Sequence, residues 1–168
     1  LSKMCGSAMK ATMLAHDNIL AGSHDVMIAG GMESMTNAPY ILPRARQGYR
    51  LGHGDQVNDH MFLDGLEDAY DEGRLMGTFA EDTAQHYQFT REQQDDFAIE
   101  SLNRAKKAVE DGTFKSEIEA VTVSTRKGDV VVDSDEQPHN ANIEKIPQLK
   151  PAFRKGGTVT PANSSSIS

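Results

Sequence analysis

The chain has 168 residues, 38% of them hydrophobic, no tryptophan and a formal net charge of -8. That length and composition suit about one folded globular domain and exclude a disordered chain. The acidic balance argues against general nucleic-acid binding, the longest apolar runs are too short to cross a membrane, and a single cysteine excludes an internal disulfide framework and fits a reducing cytoplasm.

From Cys5 to Ala21 the apolar residues Ala8, Met9, Met13, Leu14, Ile19 and Leu20 cover most of a helix surface, which predicts a buried helix. Gly22 stands where a left-handed cap would end it. Asp25-Val26-Met27-Ile28-Ala29-Gly30-Gly31 then reads as a short buried strand entering a glycine turn. A helix followed by a buried strand indicates an α/β layer architecture.

After Met32 the texture changes. Pro39, Pro43, Gly48, Gly52 and Gly54 punctuate an arginine-bearing loop. Helices are predicted around Asp59 to Tyr70 and Thr78 to Tyr87. Thr90 and Gln93 form a capping-box signature for a third helix, which should stop near Asp111-Gly112. Val121 to Ser124 and Val130 to Asp133 flank Arg126-Lys127-Gly128-Asp129, a hairpin signal with Lys-Gly-Asp at its tip. Pro138 to Pro151 reads as irregular. Residues 32–157 therefore form a large insertion between two pieces of an α/β core. Leu1 and the run Asn163 to Ser168 read as cuts through a longer chain.

Cys5 is the candidate nucleophile. It falls in the first turn of the first helix, where the macrodipole and unpaired backbone N–H groups favour a thiolate, the form that attacks in acyl transfer. Those N–H groups could also hold the oxyanion of a tetrahedral intermediate. The arrangement follows the logic of a nucleophile elbow without its leading strand. A lone cysteine is most often just a small buried apolar residue, and position alone leaves both readings open.

Five segments carry a resemblance. Lys3-Met4-Cys5-Gly6-Ser7-Ala8-Met9-Lys10 resembles the segment around the acyl-accepting cysteine of the thiolase family. Ala29-Gly30-Gly31-Met32-Glu33-Ser34-Met35-Thr36 is similar to the strand and turn that follow it there. Met76-Gly77-Thr78-Phe79-Ala80-Glu81 is similar to a landmark of that family's inserted loop domain. Arg126-Lys127-Gly128-Asp129, and Gly157-Thr158-Val159-Thr160 with Asn163-Ser164-Ser165, resemble the last two. They occur in the family's order and span nearly the whole chain. The subfamily most resembled is the bacterial acetyl-CoA C-acetyltransferase.

The resemblance implies an α/β/α/β/α layered sandwich. Residues 1–31 would be part of the N-terminal core, 32–157 an inserted, mostly helical loop domain, and 158–168 the truncated return to the core. It implies an acyltransferase that condenses two acetyl-CoA to acetoacetyl-CoA, and runs the reverse thiolysis, through an acyl group on Cys5. Ser165 would hydrogen-bond the pantetheine arm of coenzyme A. Met76 and Phe153 would line the pantetheine and acyl channel, and Lys145 would contact the nucleotide end, where an ammonium suits phosphate. Coenzyme A enters as substrate, with no further cofactor and no metal. The expected setting is cytoplasmic, in a homotetramer of full-length subunits, with no nucleic-acid or membrane partner.

The chain departs from the family pattern at several places. Ala8 stands where glycine is usual, Ser2 where asparagine is common, Leu75 where some members carry histidine, and Pro161-Ala162 where Ala-Ala or Ala-Gly is more usual. The family's acid–base histidine and second cysteine match none of His16, His24, His53, His60, His86 and His139. The 168 residues alone are therefore expected to be inactive and to fold poorly. A degradative 3-ketoacyl-CoA thiolase and a non-catalytic CoA-binding remnant are the alternatives. His53, Asp55, Asp59 and His60 are metal-ligand types, but their spacing suits no standard motif, and a Gly-rich polar loop is the better account; the resemblance implies an assembly role for it.

Overall fold

A computed structural model describes residues 1–53 and 57–167. They fall into two compact units, Leu1–Met76 with Ile167, and Gly77–Ser166.

The first unit opens with a 3-10 turn, Met4–Gly6, that runs into helix α1, Ser7–Leu20. The helix closes as the sequence predicts. Gly22 takes φ +71, its N–H donates to the Ile19 carbonyl, and the Ser23 N–H reaches back to Asn18. This paired capping satisfies two of the carbonyls that a helix end leaves open. Burial differs from expectation. Only Ala15 of the unit's described residues is buried, while Met9, Met13, Leu14 and Leu20 are exposed.

The predicted strand at 25–31 is not formed among the described residues. Val26 is 84% and Ile28 98% exposed, and neither lies in a ladder. A strand is defined by its pairing, and an apolar run with no neighbour to bond has none. The expected loop does contain a minimal ladder. Strands β1, Tyr40–Ile41, and β2, Asn58–Asp59, pair antiparallel. The helix predicted from Asp59 shrinks to a π-helical turn, Met61–Leu66, because Asp59 is held in the ladder and its carboxylate accepts the Met61 N–H. Gly54 of the predicted loop lies outside the described residues.

Helix α2, Met76–His86, has its first residue in the first unit and the rest in the second, which continues with α3, Arg91–Glu110. The capping box at the start of α3 is complete: the Thr90 side chain accepts from the Gln93 N–H, and the Gln93 side chain accepts from the Thr90 N–H. The helix ends at Glu110 with Asp111 as cap, where the sequence placed it. Strands β3, Val121–Thr125, and β4, Gly128–Val132, form the predicted hairpin, with Thr125 facing Gly128. Its tip is Arg126-Lys127 rather than Lys-Gly-Asp. The Thr125 hydroxyl accepts the Lys127 N–H and donates to the Gly128 carbonyl, which closes the turn one residue earlier.

The stretch expected to be irregular contains a short helix α4, Gln137–Asn140, and a 3-10 helix, Ile143–Gln148. Both have a reason in local sequence. Pro138 suits the first turn of a helix, and the Asn142 side chain caps the Glu144 N–H. No helix among the described residues is long and apolar enough to cross a membrane.

Candidate functional site

Cys5 sits exposed in the 3-10 turn that leads into α1. Its neighbour Met4 takes φ +47, a left-handed conformation uncommon for any residue but glycine. Ser7 holds that turn: its hydroxyl donates to the Met4 carbonyl and accepts the Lys3 N–H, both at 2.8 Å. The Gly6 N–H closes on the Lys3 carbonyl at 3.0 Å. The cysteine is thus presented on a fixed, tight turn at the positive end of a 14-residue helix. Among the described residues, no hydrogen bond or ion pair involves its sulfur.

The alanine that departs from the family pattern has a close neighbour. A Cβ built on Gly31 would come within 3.1 Å of the Ala8 Cβ. The two small residues of the first and second sequence landmarks therefore pack directly together. Glycine at 31 leaves the space that the Ala8 methyl fills.

In the second unit a buried polar network joins the third and fifth landmarks. The Glu81 carboxylate, on α2, is 3% exposed. It accepts the N–H groups of Thr158 (2.9 and 3.0 Å) and Val159 (2.9 Å), and the Thr158 hydroxyl at 3.3 Å. A buried charge is tolerable only when it is fully hydrogen-bonded, and these donors supply that. Gly157 is the point of closest approach: a side chain there would collide with the Glu81 carboxylate.

Two further residues complete the clamp. The Asn163 side-chain oxygen accepts the Thr160 N–H at 2.7 Å, while its amide donates to the Thr158 carbonyl (3.0 Å) and to Asp95 (3.1 Å). Asp95 is itself buried and paired with Arg91 at 2.6 Å. Arg91 also donates to the Ile146 carbonyl, so α3 ties down the 3-10 helix as well. Gln94 donates to the Thr158 hydroxyl at 2.9 Å.

The sequence-predicted binding residues stand around this clamp and in the other unit. Ser165 is exposed two residues beyond Asn163; beside it, the Ser164 hydroxyl is buried without a hydrogen-bond partner among the described residues. Phe153 is half-buried with its ring against Gly77, which has no side chain to block it. The Ala152 N–H bonds the Val159 carbonyl at 2.9 Å, which holds the Phe153 segment to the clamped one. Lys145 is exposed on the 3-10 helix. Met76 heads α2 and is 42% exposed; it belongs to the first unit with Cys5.

Sequence reasoning quoted Glu81 and Asn163 as landmarks but gave them no task, and missed Asp95. A signal was present. Gly77, Glu81 and Ala84 share a helix face, as do Asp95, Ile99 and Leu102, so each carboxylate stands among small or apolar neighbours. Of the residues considered as metal ligands, Asp59 caps the Met61 N–H and His60 faces Asp64 at 3.4 Å. Asp55 lies outside the described residues.

The whole chain, residues 1–168, matches the family model described as "Thiolase, N-terminal domain". It belongs to the thiolase family. Among curated relatives it is 47% identical to a mitochondrial acetyl-CoA acetyltransferase of Gibberella zeae and 45% identical to an acetyl-CoA acetyltransferase of Syntrophomonas wolfei. Each alignment covers 99% of this chain but only 39% and 42% of the relative. The chain thus spans about two fifths of the length of the curated relatives it matches.

Solved structures agree on the fold. The Bacillus anthracis acetyl-CoA acetyltransferase superposes with a TM-score of 0.89 at 40% identity. A thiolase of Ascaris suum in complex with coenzyme A gives 0.86 at 41%. Both matches cover 99% of this chain and 42% of the other. The α/β thiolase fold expected from the sequence is therefore the fold this chain shares.

Proposed function

We propose that this chain supplies the nucleophile and part of the coenzyme A surface of an acetyl-CoA acetyltransferase, acting as part of a longer polypeptide. The observation that carries the reading is the exposed Cys5 thiol on a turn pinned by Ser7 at the amino end of α1. In the proposed reaction the Cys5 thiolate attacks the thioester carbonyl of acetyl-CoA. The carbon–sulfur bond to coenzyme A breaks, and the departing coenzyme A thiolate takes up a proton. The acetyl group then passes from Cys5 to the α-carbon of a second acetyl-CoA that has lost a proton, giving acetoacetyl-CoA and regenerating the thiolate. Thiolysis is the same sequence reversed.

Ser165, Phe153 and Met76 are proposed to bind the pantetheine arm, and Lys145 the nucleotide end. Support for Ser165 and Phe153 comes from the network that orders their segments; for Lys145 it is an exposed ammonium on an anchored 3-10 helix. The name of the Ascaris relative's structure, which includes coenzyme A, supports the same ligand. Proton-transfer partners for Cys5 are proposed to come from elsewhere in the longer polypeptide. Assembly through the loop around His53 to His60 is proposed as well, supported by the full exposure of the adjoining Leu51.

The test uses the full-length polypeptide. Acetyl-CoA is expected to leave an acetyl group on the Cys5 peptide, seen by mass spectrometry. Cys5→Ala is expected to abolish both that adduct and acetoacetyl-CoA thiolysis, by about 10⁴-fold or more, as loss of a covalent nucleophile does. The 168-residue chain alone is expected to turn over no faster than its Cys5→Ala control. An unlabelled Cys5 in an active enzyme overturns the reading.

A further inference from the structure

The buried network of the second unit has more polar contacts than a merely packed segment needs. Six groups converge on eight residues, 157–164: the Glu81 carboxylate, the Gln94 amide, the Asp95 carboxylate, the Asn163 amide and the hydroxyls of Thr158 and Thr160. Thr160 is entirely buried. Asn163 is the hinge of the arrangement. One side of its amide accepts the Thr160 N–H, and the other donates to Asp95 and to the Thr158 carbonyl. An asparagine presents one acceptor and two donors in a plane, and here each is used. The result is a closed turn from Thr160 to Asn163 that delivers Ser165 to the surface at a fixed place.

We infer that Asn163, oriented by Asp95 and backed by Glu81, is a positioning residue for the coenzyme A contact made at Ser165. It does not touch the ligand itself. The inference rests on the proposed role of Ser165 and deepens it. It assigns the geometry of that contact to a buried amide and two buried carboxylates in place of the exposed loop alone. The physical ground is preorganisation: a hydroxyl held where the ligand needs it saves the ordering cost that a free loop would pay on binding.

The experiment is a double-mutant cycle in the full-length enzyme, reading thiolysis of acetoacetyl-CoA against coenzyme A concentration. Ser165→Ala and Asn163→Ala are each expected to raise the KM for coenzyme A about 5- to 20-fold, with kcat within about twofold. Combined, they are expected to raise it no further than the larger single effect, because both remove one interaction. The alkylation rate of Cys5 by iodoacetamide, which needs no coenzyme A, is expected to stay unchanged in all three.

Asn163→Asp provides a second variant should the alanine fail to fold. It keeps the acceptor for Thr160 but sets a carboxylate against Asp95, and is expected to raise the KM. Adding Asp95→Asn restores a donor between the two positions and is expected to return the KM part of the way. Additive effects of Ser165→Ala and Asn163→Ala overturn the inference, as does a normal KM in Asn163→Ala when Ser165→Ala is impaired. A normal KM in Ser165→Ala itself overturns the Ser165 assignment, and the inference with it. The two failures are thus told apart.

Discussion

The two units of this chain solve the same problem with opposite success. Gly77–Ser166 buries Ala84, Ile146 and Val159 together with Glu81, Asp95 and Thr160, and gives each of those polar groups partners. Leu1–Met76 buries Ala15 and leaves Val26, Ile28 and Met32 almost fully open to solvent. Three large apolar side chains within seven residues are thus left to solvent. The contrast shows that the polar groups of the second unit find partners within the chain, some of them 77 residues away, whereas the apolar run at 25–31 finds no ladder partner among the described residues.

Amide hydrogen exchange of the 168-residue chain is the most direct way to break this comparison. The N–H groups of Thr158, Val159 and Thr160 are each bonded to a buried side chain. Those of Val26 to Ala29 make no backbone hydrogen bond among the described residues. Exchange in the first set is expected to be at least about 100-fold slower than in the second. Equal rates would mean that the network does not form unaided, and the difference between the units would vanish.

The comparison is sharpened by adding a methyl group at two glycines of the second unit and at one of the first. Gly157→Ala drives a methyl into the Glu81 carboxylate, and Gly77→Ala drives one into the Phe153 ring. Each is expected to cost about 1–3 kcal/mol, the usual penalty of overpacking. Gly30→Ala, in the first unit, meets nothing within 4 Å and is expected to cost less than about 0.5 kcal/mol. Denaturant titration of the full-length protein measures all three. A cost at Gly30 equal to that at Gly157 would show that the open face of the first unit is packed in the complete molecule.

What the sequence made legible follows the same division. Local signals worked: the α1 cap at Gly22, the Thr90–Gln93 capping box, the stop at Asp111 and the β3–β4 hairpin are decided by residues three to six apart. The strand at 25–31 depends on partners that no local pattern supplies, and it is the element not formed. The helix at 59–70 failed for a related reason, since a backbone pairing between Tyr40 and Asp59 outcompeted local propensity. At the candidate site, motif resemblance pointed to Cys5 and Ser165 as candidates. The contacts between Glu81 and Thr158 span 77 residues and are visible only in three dimensions.

The smallest expected effect tests whether surface charge contributes to the order of the second unit. Lys107, in the last turn of α3, has its pKa raised above the ordinary 10.5, first by its hydrogen bond to Asp111 and then by the Asp111 charge, with desolvation opposing and the Glu110 charge adding least. A lysine whose folded pKa is raised contributes stability in full below its unfolded value, and loses it as pH climbs through the folded one. The window therefore lies above about pH 10.5, and full solvent exposure keeps the contribution minor. Asp111→Asn removes the hydrogen-bonded charge, and the Lys107 side-chain resonance is expected to titrate at lower pH than in the parent, by NMR. Unchanged titration would assign the raised value to Glu110 and the helix terminus. The order of the second unit would then owe nothing to this ion pair, leaving the buried clamp around Thr158 to Asn163 as the polar feature that separates it from the first.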